Sequence, residues 1–278
     1  MKLKNITLVI VLTLSHCLIF AQRKPKIKGN RSVTEVVQEL PPFSAIELND
    51  DLEIFLQKGI SEGYTVTADD NLVDILKFKV VDSTLIISSF YKIIAKKKLD
   101  ITVNYRELEG ITVRDGKIGV KETVVSDQLF VNTFGTSKID LNAAASIMSV
   151  TMEEGSSGVF NLDSDSLNIN LKNKANAYIY SVGEKSTLEL DKNTSVTFDG
   201  TTDSLQVKMS GNANLKAENM EAAVVSAKLE DAAFAKVYAY KSFELSAMGS
   251  TRVHLYGDPR VIIQQFLGTS ALLKKEDK

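Results

Sequence analysis

The chain has 278 residues, of which 44% are hydrophobic and 24% are charged, with 15 Gly, 4 Pro and no Trp. Such a composition excludes a collagen-like, low-complexity or largely disordered protein. The 33 Lys and Arg residues nearly balance the 35 Asp and Glu residues, so the chain lacks the basic excess that is typical of proteins that bind nucleic acid. We therefore expect a globular protein with no nucleic-acid partner.

The N-terminus has the features of a secretory signal peptide. Lys2 and Lys4 precede an apolar run from Ile6 to Phe20, and Ala21 is the small residue that suits signal-peptidase cleavage. The run is shorter than the roughly 20 residues that a helix needs to span a bilayer, and no later segment is apolar enough to do so. We predict a signal peptide over residues 1–21 and an exported bacterial protein in the periplasm, at the cell surface or outside the cell. An uncleaved N-terminal anchor is the alternative.

The single cysteine, Cys17, lies inside this apolar segment. Leu14 and Ser15 resemble the start of a bacterial lipoprotein cleavage box, but His16 stands where that box has a small residue, so we do not expect a lipid anchor at Cys17. The chain after residue 21 then has no cysteine and one histidine, His254. This excludes disulfides, thiolate catalysis and Cys-ligated or multi-His metal sites, and the sequence indicates no cofactor.

An internal repeat of about nineteen residues extends from Ser126 to Pro259. Seven segments each begin with an alternating triplet, which predicts a strand with one inward face. Six residues after each start comes a residue in or next to a tight turn, and a second alternating run follows. The triplets start at Leu129, Met148, Leu167, Leu188, Leu205, Val225 and Phe243, with Leu188/Leu190/Lys192 as the fourth, and the turn positions are Gly135, Glu154, Asn173, Thr194, Gly211, Asp231 and Gly249.

Two short strands and a turn make one coil of a right-handed parallel β-helix, or β-solenoid. Residues at the same offset in successive coils then stack in columns about 4.8 Å apart. Many inward positions hold Ala or Ser, which predicts a narrow core. An antiparallel β-sandwich is the main alternative, because strands of similar spacing can imitate half-coils.

The domain organisation follows from where this repeat is regular. Residues 43–114 alternate less regularly and are predicted to form a β-rich N-terminal cap and the first coils, because an open solenoid end would expose unpaired strand edges. We expect a flexible leader over residues 22–40, a single solenoid domain over residues 41–272 and a charged tail over residues 273–278.

Several segments resemble the head GIN domain family, described as autotransporter adhesin heads. They are Phe43-Ser-Ala-Ile-Glu-Leu, Leu52-Glu-Ile-Phe-Leu-Gln-Lys-Gly, Tyr64-Thr-Val-Thr-Ala-Asp-Asp-Asn-Leu, Leu85-Ile-Ile-Ser, Leu99-Asp-Ile-Thr-Val and the close Val253-His-Leu-Tyr-Gly-Asp-Pro. The resemblance covers roughly residues 43–272. It implies a secreted or envelope-associated bacterial β-solenoid and carries over no catalytic or binding residue.

The main alternative function is a polysaccharide lyase or hydrolase, because many β-helices are such enzymes. Glycoside hydrolysis needs two carboxyl groups on either side of a sugar. The acidic pairs on the repeats are interpreted as turn residues, and the chain has no phosphate-binding loop, nucleophile elbow or His-Glu-x-x-His motif. We therefore predict a protein that is not an enzyme. The pairs are Asp163/Asp165, Asp199/Asp203 and Glu230/Asp231.

A candidate binding site lies on the outward face of the last coils. Residues eleven positions after the repeat starts place Lys216, Lys236 and His254 in one column, and residues thirteen positions after them place Tyr238 and Tyr256 beside it. Aromatic rings flanked by hydrogen-bond donors suit sugar rings or anionic glycans. The same two columns include Tyr178, Asp199 and Tyr180 in earlier coils.

An ordinary strand surface is the alternative explanation of these side chains. Aromatic pairs on adjacent strands stabilise sheets, and lysines protect sheet edges from pairing. A slip of one residue would turn the same side chains inward. We predict an adhesin-like module that binds a glycan or an envelope protein. A self-associating envelope scaffold, joined through the ends of the solenoid, is a further alternative.

Overall fold

A computed structural model describes residues 24–276. The predicted signal peptide and Cys17 lie outside the described residues. The fold is nearly all β, with 68% strand and 2% helix, and forms a β-solenoid of about nine turns. The predicted fold class is therefore confirmed.

The strands are short in the N-terminal third and long in the repeats. They are β1 (Lys26–Lys28), β2 (Val33–Glu39), β3 (Ala45–Leu48), β4 (Glu53–Lys58), β5 (Gly63–Asp69), β6 (Leu76–Val81), β7 (Thr84–Ser89), β8 (Lys92–Ala95), β9 (Leu99–Tyr105), β10 (Gly110–Val113), β11 (Lys117–Val120), β12 (Val124–Thr133), β13 (Lys138–Met152), β14 (Ser157–Asp163), β15 (Ser166–Leu171), β16 (Asn176–Leu190), β17 (Ser195–Met209), β18 (Asn214–Leu229), β19 (Phe234–Ala247), β20 (Arg252–Tyr256), β21 (Arg260–Phe266) and β22 (Ala271–Lys274). A one-turn helix, α1 (Asp70–Val73), follows β5.

The repeats pair in parallel from β12 to β22, and their register is continuous except for local shifts between β17 and β18, β18 and β19, and β19 and β21. Ser186, a buried polar residue, starts the fourth coil, and the predicted start at Leu188 is wrong by two residues. The polar side chain in an otherwise apolar column concealed the correct position. As a result Lys192, predicted to point inward, lies exposed at the turn. The column is Leu129, Met148, Leu167, Ser186, Leu205, Val225 and Phe243.

From β10 onward, each turn between the two arms of a coil contains one residue with a left-handed backbone. All the predicted turn positions except Thr194 belong to this set, and Lys192 takes the place of Thr194 because of the same two-residue error. An amide from the following coil often bonds to the carbonyl at this position, as Asn193 does to Asn173 at 2.8 Å. The set is Gly116, Gly135, Glu154, Asn173, Lys192, Gly211, Asp231, Gly249 and Gly268.

The core is narrow next to these turns, as the Ala and Ser content predicts. The first inward residue after each turn from Gly135 to Gly249 is small and fully buried. Ser156 Oγ accepts from Oγ1 of Thr133 at 2.9 Å and donates to the carbonyl of Glu153 at 2.8 Å, whereas Ser137 Oγ and Thr194 Oγ1 are buried without a hydrogen-bond partner among the described residues. The small residues are Ser137, Ser156, Ala175, Thr194, Ala213, Ala233 and Thr251.

The N-terminal cap departs from the simple winding of the repeats. The coil of β3 and β4 lies between β7/β9 on one side and β10/β11 on the other, all in parallel. Strands β5, β6 and β2 then add antiparallel pairings to β9, β7 and β5. The chain therefore leaves the solenoid after β4, builds an outer coil with antiparallel cover, and returns at β10.

The described part of the predicted flexible leader differs from that expectation. Strand β2 pairs antiparallel with β5 from Val33↔Asp69 to Glu39↔Gly63, and β1 pairs in parallel with β8. Ile27 packs against the core. These strands supply hydrogen-bond partners to cap strands whose edges would otherwise be open. At the other end, β22 extends to Lys274, so the predicted charged tail begins inside a strand.

Candidate ligand-binding face

The parallel register brings the candidate side chains together on one outer surface. Lys216 on β18 pairs with Lys236 on β19, and Lys236 pairs with His254 on β20. Tyr238 pairs with Tyr256 in the neighbouring column. The polar side chains alternate with buried apolar ones along each strand, which fixes the side of the sheet to which they belong.

Lys236 is held in an ion pair rather than left free. Its Nζ atom donates to Oε1 of Glu218 at 2.9 Å, and the Lys236 and Glu218 side chains are 25% and 12% exposed. The hydrogen bond to Glu218 raises the pKa of Lys236, burial opposes the rise, and the Glu218 and Tyr256 charges add to it. The positive charge of Lys236 is therefore largely neutralised within the protein.

His254 lies at the C-terminal end of the same column. Its ring packs edge-on against Phe234, with centroids 5.1 Å apart and planes at 88°. Burial, followed by the positive charges of Lys275, Lys236 and Arg252, lowers the pKa of His254. The imidazole is thus neutral at pH 7 and lines a shallow pocket of about 370 Å³ with Phe234, Ser250 and Arg252.

Tyr256 differs from the sequence expectation of an exposed ring. Its side chain lies in the predicted column but is only 8% exposed. Tyr238 lies beside Tyr256 on the adjacent strand, and Lys236 interacts electrostatically with Tyr256. Alternation correctly gives the outward direction of Tyr256 but does not show that neighbouring side chains cover it.

Tyr178 and Tyr180 form a more exposed aromatic pair. The sequence places them in the same two predicted columns, but they are not among the predicted binding residues. They lie two residues apart on β16 and are 47% and 44% exposed. Two aromatic residues at successive outward positions of one strand are a signal that could have identified them. Thr197, rather than the expected Asp199, follows Tyr178 in its column, because of the two-residue error in that coil.

A small polar network holds the Tyr178 side chain. The Tyr178 hydroxyl donates to Oδ2 of Asp199 at 3.1 Å, and Nδ2 of Asn219 donates to Oδ1 of the same carboxylate at 3.3 Å. The hydrogen bond from Tyr178, followed by the charge of Asp199, raises the pKa of Tyr178. We call the outward side chains of Tyr178, Tyr180, Lys216, Lys236, Tyr238 and His254 the tyrosine–lysine face.

The acidic pairs of the enzyme alternative have ordinary structural surroundings. Asp163, Asp165 and Asp203 are exposed on the surface. Asp231 occupies a left-handed turn and accepts the amide of Gly211 at 2.9 Å, while Glu230 pairs with Lys228 at 2.9 Å. Within residues 24–276, no group of three or more His, Cys, Asp or Glu side chains is arranged to hold a metal ion. No helix in the same range has the length and hydrophobicity needed to cross a bilayer.

Three solved structures of low sequence identity share the solenoid fold. A "putative adhesin" from Parabacteroides merdae ATCC 43184 has 15% identity and a TM-score of 0.66, covering 90% of this chain and 99% of that one. A "putative adhesin" from Parabacteroides distasonis ATCC 8503 has 17% identity and a TM-score of 0.65, covering 90% and 100%. A "putative lipid binding protein" from the same strain has 19% identity and a TM-score of 0.59, covering 90% and 99%. No curated protein matches the chain.

The sequence itself gives the family. It matches the family described as "Putative auto-transporter adhesin, head GIN domain" over residues 42–161 and again over residues 157–259. Together these matches span most of the chain and nearly all of the solenoid. The protein therefore belongs to the head GIN domain family.

Proposed function

We propose that the protein is an exported, adhesin-like binding module that engages a glycan or an envelope protein through the tyrosine–lysine face, and that it is not an enzyme. The observation that carries this proposal is the pair of exposed rings, Tyr178 and Tyr180, of which Tyr178 lies in the same column as Lys216. The family and two of the structural relatives are named for adhesion, which supports a binding role of this general kind.

The shape of this face favours an extended ligand. Tyr178 and Lys216 lie two coils apart, which is about 10 Å, and His254 lies two coils further. A flat row of side chains at this spacing can contact successive units of a polymer. Aromatic rings pack on the apolar faces of sugars, and a hydroxyl or ammonium group beside them supplies hydrogen bonds.

The charges on the face single out Lys216 as its contact for an anionic group. Lys236 is paired with Glu218, and the lowered pKa of His254 leaves that imidazole neutral at pH 7. Lys216 is exposed and has no ion-pair partner among the described residues. We therefore expect one cationic contact and two or three ring contacts on this face.

The direct test is a glycan array probed with residues 22–278, since all the described strands and the core lie within residues 24–276. The test variant is Tyr178→Ala/Tyr180→Ala, and Lys216→Ala is tested separately. Phe130→Ala is the matched control, because Phe130 is an equally exposed aromatic residue on β12, a strand that carries no residue of this face. Mass spectrometry of the bound glycans reports any cleavage.

Binding that falls at least tenfold in the double variant and is unchanged in the control would support the proposal. Equal binding by all variants would place the ligand elsewhere on the solenoid. Cleaved glycan would establish the polysaccharide-processing alternative, and Asp163, Asp165, Asp199 and Asp203 would then be replaced in turn. Absence of glycan binding would redirect the search to envelope proteins.

Export is part of the proposal and has its own test. The segment from Lys2 to Ala21 has the pattern of a signal peptide. We expect the protein recovered from its native host to begin at or near Gln22. N-terminal sequencing of protein from periplasmic, surface and culture fractions would identify both the cleavage site and the compartment, and a retained residue 1 would contradict export by this signal.

Self-association is a second candidate function, and the C-terminal end of the solenoid favours it. Within the described residues, β21 pairs only with β19, and β22 pairs only with β20. The last coil continues the inward columns with Val261 and Ile263, but both side chains are exposed because no further coil covers them. Phe266 and Leu267 are exposed beside them.

An exposed strand edge with apolar neighbours can pair with a second copy. The N-terminal end carries antiparallel cover, so two C-terminal ends meeting each other form the favoured dimer. Sedimentation of the wild type and of Ile263→Lys over a range of concentrations tests this arrangement. A dimer that the substitution abolishes would support it, and a wild type that stays monomeric at high concentration would exclude it.

A further inference from the structure

A small two-stranded sheet lies against the N-terminal cap and presents a basic outer surface. Strand β1 pairs in parallel with β8, with Lys26 opposite Lys92 and Ile27 opposite Ile93. Ile27 and Ile93 pack against the core, so the alternate residues face outward. Lys26 and Lys92 therefore project side by side from the outer face of this sheet.

The charge of this sheet is unlike that of the rest of the protein. Residues 24–28 and 90–98 contain seven lysines and no acidic residue. The whole chain has 33 basic and 35 acidic residues, so acidic residues are in clear excess elsewhere. Lys24 and Lys98 pair with Asp50 and Asp100. The remaining side chains are exposed and have no ion-pair partner among the described residues; they are Lys26, Lys28, Lys92, Lys96 and Lys97.

Large apolar side chains are exposed among these lysines. Phe90, Tyr91 and Ile94 are 57%, 38% and 47% exposed. The Nζ atom of Lys77 on β6 lies 3.5 Å from the centroid of the Phe90 ring, which adds another cation to the same surface. We call the side chains of Lys26, Lys28, Lys77, Lys92, Lys96, Lys97, Phe90, Tyr91 and Ile94 the basic cap face.

The backbone beneath the basic cap face is fixed, so its lysines are held close together. The buried carboxylate of Asp69 accepts the amides of Lys97 and Lys98 at 3.0 and 3.1 Å, and the amide of Arg31 at 3.2 Å. The amide of Gly29 bonds to the carbonyl of Ala95 at 2.8 Å, which continues the pairing beyond β1. A rigid support reduces the ordering cost of binding to an extended surface.

We propose that the basic cap face docks the protein on the surface of an anionic phospholipid bilayer. Clustered lysines are attracted to acidic headgroups, and exposed aromatic and aliphatic side chains partition into the headgroup and acyl boundary. The basic cap face combines both features. A soluble anionic polymer would be attracted by the lysines alone and gives no role to Ile94 or Phe90.

The placement of this surface agrees with such docking. It lies on the outer coil of the cap, whereas the tyrosine–lysine face belongs to β16–β20, several coils away. A protein docked in this way keeps its proposed ligand face clear of the membrane. A pocket of about 550 Å³ beside Lys26 and Lys92 is also lined by Asp50, Asp51 and Asp115, and these carboxylates mark the boundary of the basic cap face.

The test is co-sedimentation of residues 22–278 with vesicles of phosphatidylcholine and phosphatidylglycerol at 3:1, compared with pure phosphatidylcholine. The test variant is Lys26→Ala/Lys92→Ala/Lys96→Ala. The matched control is Lys174→Ala/Lys185→Ala/Lys241→Ala, which removes three exposed lysines of the repeats that have no ion pair among the described residues. A third variant, Phe90→Ser/Ile94→Ser, tests the apolar part, and thermal unfolding shows that each variant is folded.

Each lysine near an anionic surface contributes about fivefold to partitioning, so we expect the cap variant to bind roughly a hundredfold more weakly. The control should bind like the wild type, and added salt should weaken binding of both. Phe90→Ser/Ile94→Ser should also weaken binding. Equal loss in the cap and control variants, or equal binding to uncharged vesicles, would overturn the proposal.

The remaining explanation is that the basic cap face binds soluble polyanions rather than membranes, and a soluble anionic polymer tests it. Dextran sulfate should compete with the vesicles only through charge, and its own binding should not respond to Phe90→Ser/Ile94→Ser. If the apolar substitutions leave vesicle binding unchanged while the lysine substitutions abolish it, the basic cap face is a polyanion site and membrane docking is wrong. Tyr178→Ala/Tyr180→Ala should not alter vesicle binding, so this test stands apart from that of the proposed ligand face.

Discussion

Nζ of Lys236 lies 2.9 Å from Oε1 of Glu218, and both side chains are mostly withdrawn from solvent. This ion pair joins β19 to the segment of β18 where the register between the two strands shifts. It also neutralises one of the two lysines that the sequence places in the outward column. The electrostatics of the tyrosine–lysine face therefore depend on Glu218, which lies thirteen positions after the repeat start at Leu205 and so belongs to the same predicted column as Tyr238 and Tyr256.

Glu218→Gln should destabilise the protein by about 1–3 kcal/mol, because it leaves the Lys236 ammonium partly buried without a charged partner. The pKa of Lys236 is raised in the fold, so the contribution of the pair is complete below the ordinary lysine pKa and is lost only as the pH rises through the folded value. Urea unfolding at pH 7 and pH 9 should give the same deficit. A deficit that disappears in a Lys236→Met background would confirm that the pair causes it.

Asp69 should make the cap sensitive to acid. Burial alone raises the pKa of this carboxyl, but the amides of Lys97, Arg31 and Lys98, aided by the Lys97 charge, outweigh burial and lower it. A lowered folded pKa stabilises the protein above the unfolded pKa, and this stabilisation is lost as the pH falls through the folded value. Asp69→Asn should therefore have a lower urea midpoint than the wild type at pH 7. The difference between the two midpoints should narrow below about pH 4.

Asp163→Asn is the control for that measurement, because Asp163 is exposed at the end of β14. Its unfolding midpoint at pH 7 should match that of the wild type. A constant gap between Asp69→Asn and the wild type from pH 7 to pH 3 would show that the effect of Asp69 is steric, and would contradict the electrostatic explanation.

Sequence patterns predicted the solenoid because alternation and turn residues are local signals that recur in every coil. They failed where a local signal was absent or misleading. Ser186 is a polar residue in an otherwise apolar column, so the predicted start of its coil was wrong by two residues. Strands β1 and β2 pair with residues far along the chain, such as Ile27 with Ile93 and Val33 with Asp69, and nothing nearby in sequence identifies those partners.

The candidate site could be predicted in direction but not in exposure or charge. Period-two alternation gives the side of the sheet on which a residue lies, and Lys216, Lys236 and His254 do share a column. Burial of Tyr256 and the pairing of Lys236 with Glu218 depend on neighbouring coils at a register shift. Such contacts depend on how neighbouring coils pack in three dimensions. The two-residue alternation of the sequence does not specify that packing.

The left-handed turn column predicts opposite effects of glycine at two of its positions. Lys192 has φ of 64°, which strains a residue with a Cβ atom, so Lys192→Gly should stabilise the protein by about 0.5–1 kcal/mol after the added freedom of the unfolded chain is counted. Gly249 has φ of 97°, and an added Cβ would lie 2.5 Å from the carbonyl oxygen of Asp231. Gly249→Ala should therefore cost about 2 kcal/mol or more.

Lys174→Gly is the control for these turns. Lys174 follows Asn173 in the same type of turn but is not among the residues with positive φ, so glycine there should destabilise the protein by about 0.5–1 kcal/mol. Urea unfolding of the three variants should rank Lys192→Gly above the wild type and Gly249→Ala last. Destabilisation by Lys192→Gly as large as that by Lys174→Gly would show that the left-handed turn carries no strain.

The contact between Tyr178 and Asp199 can be measured without knowing the ligand. The phenol hydroxyl donates to the carboxylate at 3.1 Å, and this hydrogen bond with the nearby negative charge raises the pKa of Tyr178. Asp199→Asn removes the charge and weakens the acceptor, so the pKa of Tyr178 should fall toward the ordinary tyrosine value. Nuclear magnetic resonance titration of labelled tyrosine rings should show this shift at Tyr178. If ring contact with a sugar carries binding, Tyr178→Phe should retain most of the affinity while Tyr178→Ala loses it, because the phenylalanine ring keeps the stacking surface and loses only the hydroxyl. Equal loss in both variants would assign binding to the hydroxyl and its carboxylate partner instead of the ring.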